Sequence, residues 1–470
     1  MENKKERGSF SGSIGFVLAA AGSAVGLGNI WRFPYLAAKN GGGVFLLFYL
    51  VLALTFGFAL LITEVTIGRK TRQSPLTCYR YLHPKWGFIG LFSCLVPAII
   101  LPYYCAIGGW VLKYTVAYLT MQGGAAAEDN YFTGFITSTA APLVFMVIFL
   151  GLTTLIVYRG VDKGIESCSK ILMPILLVLI LAISLFALTL HHTDDNGVTR
   201  TGIDGFLIYI IPNFEGFTLG RAFSVFIDAL GQLFFSLSVA MGIMIAYGSY
   251  VPKESSINTS INQIEIFDTA VAFLAGMMVV PAVFTFMGTD GLAASGPSLM
   301  FVSLPKVFTA MGPVGNVIGL LFFVMVTFAA LTSSVSIMEA VTSSFMDRFH
   351  LSRQKSVIVV TLVALVVGVI VCLGYNLFYF EVTLPNGAVG QILDILDYIS
   401  NNCLMPLVAL FTCILIGWVV GPKTIIEEVE LNGKHMGRKH LYIVMVKFVA
   451  PIMLVLLLLQ SFGVLGLFLK

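Results

Sequence analysis

Apolar runs of about 20 residues, the length a helix needs to cross a bilayer, follow one another along almost the whole chain. Bounded by charges or turn residues, they predict eleven membrane-spanning helices. These lie near 11–37, 42–68, 89–120, 141–158, 165–189, 222–250, 260–287, 314–347, 356–376, 390–420 and 441–469, and are numbered spans 1 to 11. Two links, near 190–220 and 288–313, are longer than tight turns. The second holds Gly291, Gly296, Pro297 and a part-apolar run from Ser298 to Pro305, which either folds back as a short hairpin into an outer vestibule or is an ordinary surface loop.

Composition narrows the class. Of 470 residues 58% are hydrophobic and 11% charged, against about 25% charged in soluble domains. So few charges cannot coat a soluble surface of this size, and a disordered chain is excluded too. A net charge of +3 is too balanced for a nucleic-acid binder. The basic residues are unevenly placed. Lys4, Lys5 and Arg7, then Arg69, Lys70, Arg72, Arg80 and Lys85, then Arg159, Lys163 and Lys170 fall at one side of the predicted spans, as do Lys253, Arg348, Arg353, Lys355, Lys423, Lys434, Arg438, Lys439 and Lys447. By the positive-inside rule that side is cytoplasmic and holds the N-terminus; eleven spans then put the C-terminus outside. The chain reads as a multi-pass protein of the cell's inner (plasma) membrane. Its basic start could imitate a secretory signal, but the apolar stretch is glycine-rich, contains Arg32 and runs past Pro34, so a retained span is expected. The seven cysteines form no CxxC pair, which argues against a disulfide framework or a zinc cluster. His191 and His192, at the end of a span, read as an interfacial pair.

The informative positions are those that cost energy in a bilayer. Gly22, Ser23, Gly26, Gly28 and Asn29 occupy the middle of span 1, and Gly231, Gln232, Ser236, Ser238 and Gly242 interrupt span 6. Small residues also serve tight helix packing, so span 1 alone does not decide between packing and a break. Spans 1 and 6, however, are the first members of two successive five-span sets. Interrupted spans at matching places point to an inverted-repeat transporter. A broken helix frees carbonyls that suit a cation and amides that suit a carboxylate; a zwitterion travelling with Na+ meets both needs. Span 8 adds Thr332, Ser333, Ser334 and Ser336, whose hydroxyls either serve such a site or bond their own helix. Glu64, Asp268 and Glu339 are intramembrane acids, each functional by default. Glu339 lies near a span end, where an interfacial role is an equal alternative; Asp268 has no basic neighbour one turn away.

Taken together, these residues resemble the neurotransmitter:sodium symporters, in particular their bacterial amino-acid transporters. The resemblance rests on the run from Gly22 to Tyr35, Asn40 to Gly43, Glu64 with Gly68 and Arg69, Tyr103 and Tyr104 with Trp110, Gly231 and Gln232 through Gly242, and Leu331 to Ser334. It implies an all-α membrane fold with a 5+5 inverted repeat (spans 1–5 about 11–189, spans 6–10 about 222–420) and discontinuous spans 1 and 6. The core would be 1–421, with an additional span within 441–470. It implies two Na+ sites. One would use the Ala24 carbonyl, Asn29, Ser236, Asp268 and the substrate carboxylate. The other would use the carbonyls of Gly22, Val25 and Ala329 with the hydroxyls of Thr332 and Ser333. A neutral amino acid would lie between the breaks, its carboxylate at the Leu27 and Gly28 amides and Tyr104. Its ammonium would face Ser23, Ala24, Phe235, Ser236 and Ser238, and its side chain Ile100, Phe235, Met241, Ser333 and Ile337. Arg32 with Asp397 would gate the outer side above Phe235, and Arg7 with Asp347 the inner side. Gly164 and Pro174 share the spacing at which relatives unwind the inner part of span 5.

Departures sharpen the expectation. Asp268 stands where many members carry asparagine, and Ala272 where chloride-dependent members carry serine. By the resemblance Tyr49, Gln232 and Ser236 would complete a chloride cage, but the Asp268 carboxylate already supplies the negative charge, so transport is expected to be chloride-independent, and Asp268 is a candidate for taking up a proton on the return step. Met241, a flexible side chain, replaces phenylalanine, and Ala240 a common glycine, which would tighten the pocket slightly; the apolar lining without a free carboxylate or lysine favours a neutral, apolar amino acid. Of the alternatives, a proton-coupled permease of the same fold would carry a cation in span 8 between Pro313 and Asp347, and none is there. An enzyme would need a base or a metal set beside the isolated acids, and the chain is not read as one. A nontransporting amino-acid sensor would keep the same pocket.

Overall fold

The computed structural model describes residues 8–465 except 195 and 295; Lys4, Lys5 and Arg7 lie outside the described residues. Among those described, nine helices are long and apolar enough to cross a membrane, or ten if the bent pair Ser13–Ala24 and Gly28–Lys39 is one span. That pair is span 1, bent by 53°. The other spans are Gly43–Thr71, Pro84–Leu119, Ala141–Tyr158, Val161–Leu188, Ile257–Gly291, Pro313–Phe349, Arg353–Leu373, Ile392–Val419 and Lys439–Ser461. Each overlaps one predicted run. Span 6 falls short of that measure. Arg221, Asp228 and Gln232 dilute its outer half, Leu219–Ser236, and its inner half is only Ile243–Gly248. The Lys/Arg-rich end of the bundle is termed inner, the opposite end outer.

Span 8 lies along span 3 and against spans 4, 5 and 9, while span 1 crosses spans 7 and 8. The inner half of span 6 rests on span 2, and glycines set that approach. A Cβ on Gly68 would stand 2.1 Å from the Ile245 carbonyl oxygen, and one on Gly248 2.2 Å from that of Val65. Two backbones thus touch where any larger residue would part them. Arg69, one residue on, is buried and donates to Glu428 (2.9 Å) and the Ser255 carbonyl (2.8 Å), so this cation of the inner loops is structural.

The described residues of both long outer links include regular elements. The first forms a hairpin, His191–Thr193 with Thr199–Thr201, followed by a helix over Gly202–Ile210. The second folds back as helical turns over Gly296–Ala310. Its Phe301 stacks on Phe132 at 4.9 Å, its carbonyl takes the Tyr114 hydroxyl at 2.7 Å, and its ring meets Trp110 and Trp31 edge-on. The hairpin alternative is therefore helical and aromatic-clasped.

Span 5 is continuous. Val161–Glu166 is a π-helical turn running straight into the α-helix Ser167–Leu188. Gly164 has a packing reason here, since its Cβ would stand 2.1 Å from the Ile156 carbonyl oxygen. The unwinding expected from the Gly164 and Pro174 spacing is not the arrangement observed.

Candidate functional site

Both interruptions are real breaks, and they face each other. The first helix of span 1 ends at Ala24, and Val25 is extended (φ −74°, ψ 95°) before the chain resumes at Gly28. The outer half of span 6 ends at Ser236, with Ser238, Ala240 and Gly242 all at positive φ (52°, 62° and 71°) before Ile243. Two of these are not glycine, and such residues cost about 1–2 kcal/mol each in the left-handed region. Strain of this kind is held where the surroundings over-determine it. One determinant is Glu64. Its Oε1 accepts the Ala240 amide at 2.7 Å, while Oε2 is buried with no partner. The acid of span 2 therefore takes over an amide that the broken helix leaves orphaned.

Across the breaks, hydroxyls join the spans. The Ser238 hydroxyl donates to the Ser23 carbonyl at 2.9 Å, and the two Oγ atoms are 3.2 Å apart. Ser333 Oγ lies 3.1 Å from the Ser23 carbonyl oxygen and 3.4 Å from those of both Gly22 and Val25. A single hydroxyl hydrogen cannot serve three carbonyls. Oxygens held about 2.3–2.6 Å from a hard cation of Na+ or Ca2+ size stand about 3.3–3.6 Å from one another, close to these separations. Thr332 donates to its own helix, to the carbonyls of Phe328 (3.0 Å) and Ala329 (3.1 Å), leaving its oxygen lone pairs free. Gly22 brings span 1 onto it, since a Cβ there would lie 3.2 Å from Thr332 Cβ. Ser334 and Ser336 turn elsewhere, to Thr153 and Tyr247. Of the four hydroxyls, Thr332 and Ser333 alone face span 1.

A second cluster surrounds Asp268, which is wholly buried. Its Oδ1 accepts Ser236 Oγ at 2.8 Å and Asn29 Nδ2 at 2.9 Å; its Oδ2 accepts the Tyr49 hydroxyl at 3.2 Å. Asn29 Nδ2 also reaches Ser236 Oγ at 3.0 Å, and Oδ1 takes the Gly26 amide at 3.3 Å. The carboxylate has three donors and no cation within ion-pair reach among the described residues. So placed, Asn29 offers donors to Asp268; for it to hold a cation, the amide must turn so that Oδ1 replaces Nδ2, an isosteric exchange. Gln232 Nε2 donates to the Gly28 carbonyl at 3.1 Å and its Oε1 is buried without a partner.

The Tyr104 hydroxyl is buried without a partner of ordinary geometry; Ser333 and the Leu27 amide are its polar neighbours. A buried orphan hydroxyl is costly unless something polar reaches it. Ile100, Met241 and Ile337 are buried apolar residues from spans 3, 6 and 8. Phe235 covers the outer side, its ring 2.6 Å from where a Gly28 Cβ would be, with Arg32 5.8 Å above its centroid. A cavity of about 180 Å³ opens outward above it, lined in part by Arg32, Asp228, Phe235, Asn401 and Leu457. Asp397 bonds Tyr103 (3.1 Å) and Asn401 (2.6 Å), and no ion pair joins it to Arg32 among the described residues. Phe10 is buried, its amide donates to the Tyr250 carbonyl at 3.2 Å, and Asp347 accepts the Ser74 amide at 2.6 Å. Arg7, the expected partner of Asp347, lies outside the described residues.

Two acids read differently from the sequence. Glu339 is not a bare interfacial group; it takes the Tyr250 hydroxyl at 2.7 Å and pairs with Arg353 of the next span. Glu265, in span 7, escaped notice. It is 3% exposed and pairs with Arg438 at 2.6 Å; nothing local signals it, since the partner lies 173 residues away.

Facing breaks in two membrane helices, with clusters of oxygen atoms and buried apolar side chains beside them, define an ion-coupled membrane transporter. The chain belongs to the sodium:neurotransmitter symporter family, whose model matches residues 7–134 and 133–466. It is 33% identical over 467 residues to YhdH of Bacillus subtilis, an uncharacterized sodium-dependent transporter, covering 97% of this chain and 98% of that one. It is 27% identical to the human sodium- and chloride-dependent GABA transporter 2, over 92% of this chain and 77% of that protein. Among solved structures, MhsT in complex with L-phenylalanine matches with a TM-score of 0.83 at 34% identity, over 97% of this chain and 100% of that chain. The protein is accordingly a Na+-coupled, multi-pass membrane transporter and not an enzyme.

Proposed function

We propose that the chain imports a neutral, apolar amino acid together with Na+ by alternating access, without a requirement for chloride. The observation that carries this reading is the pair of facing breaks with the orphan Tyr104 hydroxyl between them. Backbone amides at Leu27 and Gly28 and the Tyr104 hydroxyl suit a carboxylate. Carbonyls near Ser23, Ala24, Phe235 and Ser236 with the Ser238 hydroxyl suit an ammonium. The lining of Ile100, Phe235, Met241 and Ile337 offers no charge to a side chain, and L-phenylalanine bound to MhsT favours an amino acid of this kind.

Two Na+ seats are part of the proposal. One comprises the carbonyls of Gly22, Val25 and Ala329 with Thr332 and Ser333; the other comprises the Ala24 carbonyl, Asn29, Ser236 and Asp268. Chloride independence is supported by Tyr49, whose hydroxyl already serves the Asp268 carboxylate and is not left for an anion. Arg32 and Asp397 act as an outer gate, drawn open here, and the segment at Arg7 and Asp347 as an inner one. The Lys/Arg-rich end faces the cytoplasm of a cell's inner membrane, and the halves about 11–189 and 222–420 move as related units, with 441–470 added to them. Two Na+ moving with a zwitterion carry two charges inward, worth about 4.6 kcal/mol at about 100 mV.

Uptake of labelled neutral amino acids into proteoliposomes tests this, with Na+, Cl− and pH varied one at a time. Na+-driven accumulation that persists when chloride is replaced by gluconate is the expected result. Accumulation driven by a proton gradient in the absence of Na+, or lost with chloride, overturns it.

A further inference from the structure

We infer that Arg438, through Glu265, is a positioning residue for the cation seat at Asp268, so that the segment leading into the last span sets how tightly that seat holds Na+. The inference rests on the reading of Asp268 as a cation ligand. Arg438 counts among the basic residues of the inner segments, yet it is not a loop cation. Its Nη2 donates to Asn262 Oδ1 and Glu265 Oε2, both at 2.6 Å, and its Nη1 to the Leu54 carbonyl at 2.8 Å. Its guanidinium lies 3.6 Å from the centroid of the Phe58 ring. One planar fork thus reads a carboxylate, an amide, a backbone carbonyl and an aromatic face, which a lysine cannot do.

Both things it grips lead to Asp268. Glu265 precedes Asp268 by three residues on the same helix, one turn away and on the same face. Leu54 belongs to the π-helical turn Ala53–Gly57. Gly57 of that turn backs Leu237: a Cβ on Gly57 would lie 2.6 Å from Leu237 Cδ1. Leu237 follows Ser236, whose hydroxyl donates to Asp268 at 2.8 Å. The guanidinium therefore braces the helix that carries the carboxylate and the bulge behind the strand of chain that carries the hydroxyl. A buried ion pair is seldom the most stabilising use of such a position; holding two walls of a site in register is a use that apolar packing does not supply.

The test measures the Na+ dependence of uptake by the full chain in proteoliposomes, in Asp268→Asn, Arg438→Gln, Arg438→Lys, Glu265→Gln and the exchange Arg438→Glu with Glu265→Arg. Groups that hold a metal ligand in place typically contribute about 10–100-fold in affinity. Acting at one further remove, Arg438→Gln and Glu265→Gln are expected to raise the half-saturating Na+ concentration about 3- to 10-fold, with the maximal rate at saturating Na+ retained. Arg438→Lys shifts it less, and the exchange recovers it. A purely structural fastening would instead lower the amount of protein and the maximal rate without moving the Na+ dependence. If Asp268→Asn moves the Na+ dependence and Arg438→Gln and Glu265→Gln do not, the inference falls and the site reading stands. If Asp268→Asn itself leaves it unmoved, the reading beneath it falls. Should Arg438→Gln fail to reach the membrane, Asn262→Ala removes one acceptor alone; a rise of about twofold supports the inference and an unchanged value overturns it.

Discussion

The two oxygen clusters flank the same pair of helix breaks but are built on opposite principles. Around Ser333 and Thr332 there is no formal charge, only hydroxyls and the carbonyls of a broken helix, and geometry is set by how closely Gly22 lets span 1 approach Thr332. Around Asp268 there is a full carboxylate, already satisfied by Ser236, Asn29 and Tyr49. A neutral cage selects by distance and gives way to a cation only where the carbonyls are fixed. A charged one attracts a cation from further away, and its cost is paid in keeping a buried carboxylate in a bilayer, which is why it carries three donors. The difference predicts that the charged seat governs whether Na+ binds at all, and the neutral one how sharply it is selected.

The largest effect should therefore come from Asp268. Asp268→Ala leaves three donors unpaired and removes the charge, and Na+-driven uptake is expected to fall by more than about 100-fold. Asp268→Asn keeps the shape and should raise the half-saturating Na+ concentration by about 10–100-fold, with any proton counter-transport lost. Unaltered Na+ activation in Asp268→Asn would erase the distinction between the clusters. Next come Ser333→Ala and Thr332→Ala. Losing one neutral oxygen from a cation's shell costs about 1.5–3 kcal/mol, so each should weaken Na+ activation about 10–100-fold. The marker of a neutral cage is a changed Na+ to Li+ preference. A Ser333→Ala protein with the original ion preference places that cage elsewhere.

These contrasts were partly legible in the chain. The breaks were, because Gly22, Ser23 and Asn29 in mid-span, and Gly231, Ser236 and Gly242 in the matching span, have no reason to sit in lipid. Asp268 was, because an acid without a basic neighbour one turn away must be held by something distant. Which hydroxyls of Thr332, Ser333, Ser334 and Ser336 face span 1 was not legible from spacing, since neighbouring helical residues point about 100° apart and the helix's rotation is fixed only by packing; the family resemblance alone singled out Thr332 and Ser333. Glu265 was passed over and Glu339 left undecided for one reason: their partners, Arg438 and Arg353, lie on other elements, and spacing within a helix does not report them. The winding of span 5 was not legible either, because Gly164 serves close packing and unwinding equally well.

Glu64 separates the two breaks in another way. Among the described residues no charged side chain caps the span 1 break, whereas the span 6 break has a carboxylate on the Ala240 amide. Glu64→Gln keeps an acceptor and should be nearly neutral in stability. Glu64→Ala leaves the amide orphaned and should destabilise by about 1–3 kcal/mol, visible as a lower melting temperature in detergent and as weaker substrate binding. Equal melting of the two variants would show that the amide finds another partner.

The smallest effect concerns the backbone itself. Ala240 is held at φ 62°, where its Cβ costs about 1–2 kcal/mol and glycine costs nothing; glycine in turn loses more entropy on folding, about 0.5–1 kcal/mol. The two nearly cancel, so Ala240→Gly should stabilise by at most about 1 kcal/mol. Its more telling effect lies in the pocket. Met241 follows directly, and releasing the strain at 240 lets that turn settle without forcing the methionine inward, so Ala240→Gly should improve uptake of the bulkier apolar amino acids relative to the smaller ones. A unique role for the span 6 break in shaping the side-chain pocket requires this shift in preference; an unchanged ranking of substrates, with stability raised, would mean that the strain is stored at the break but not transmitted to the pocket.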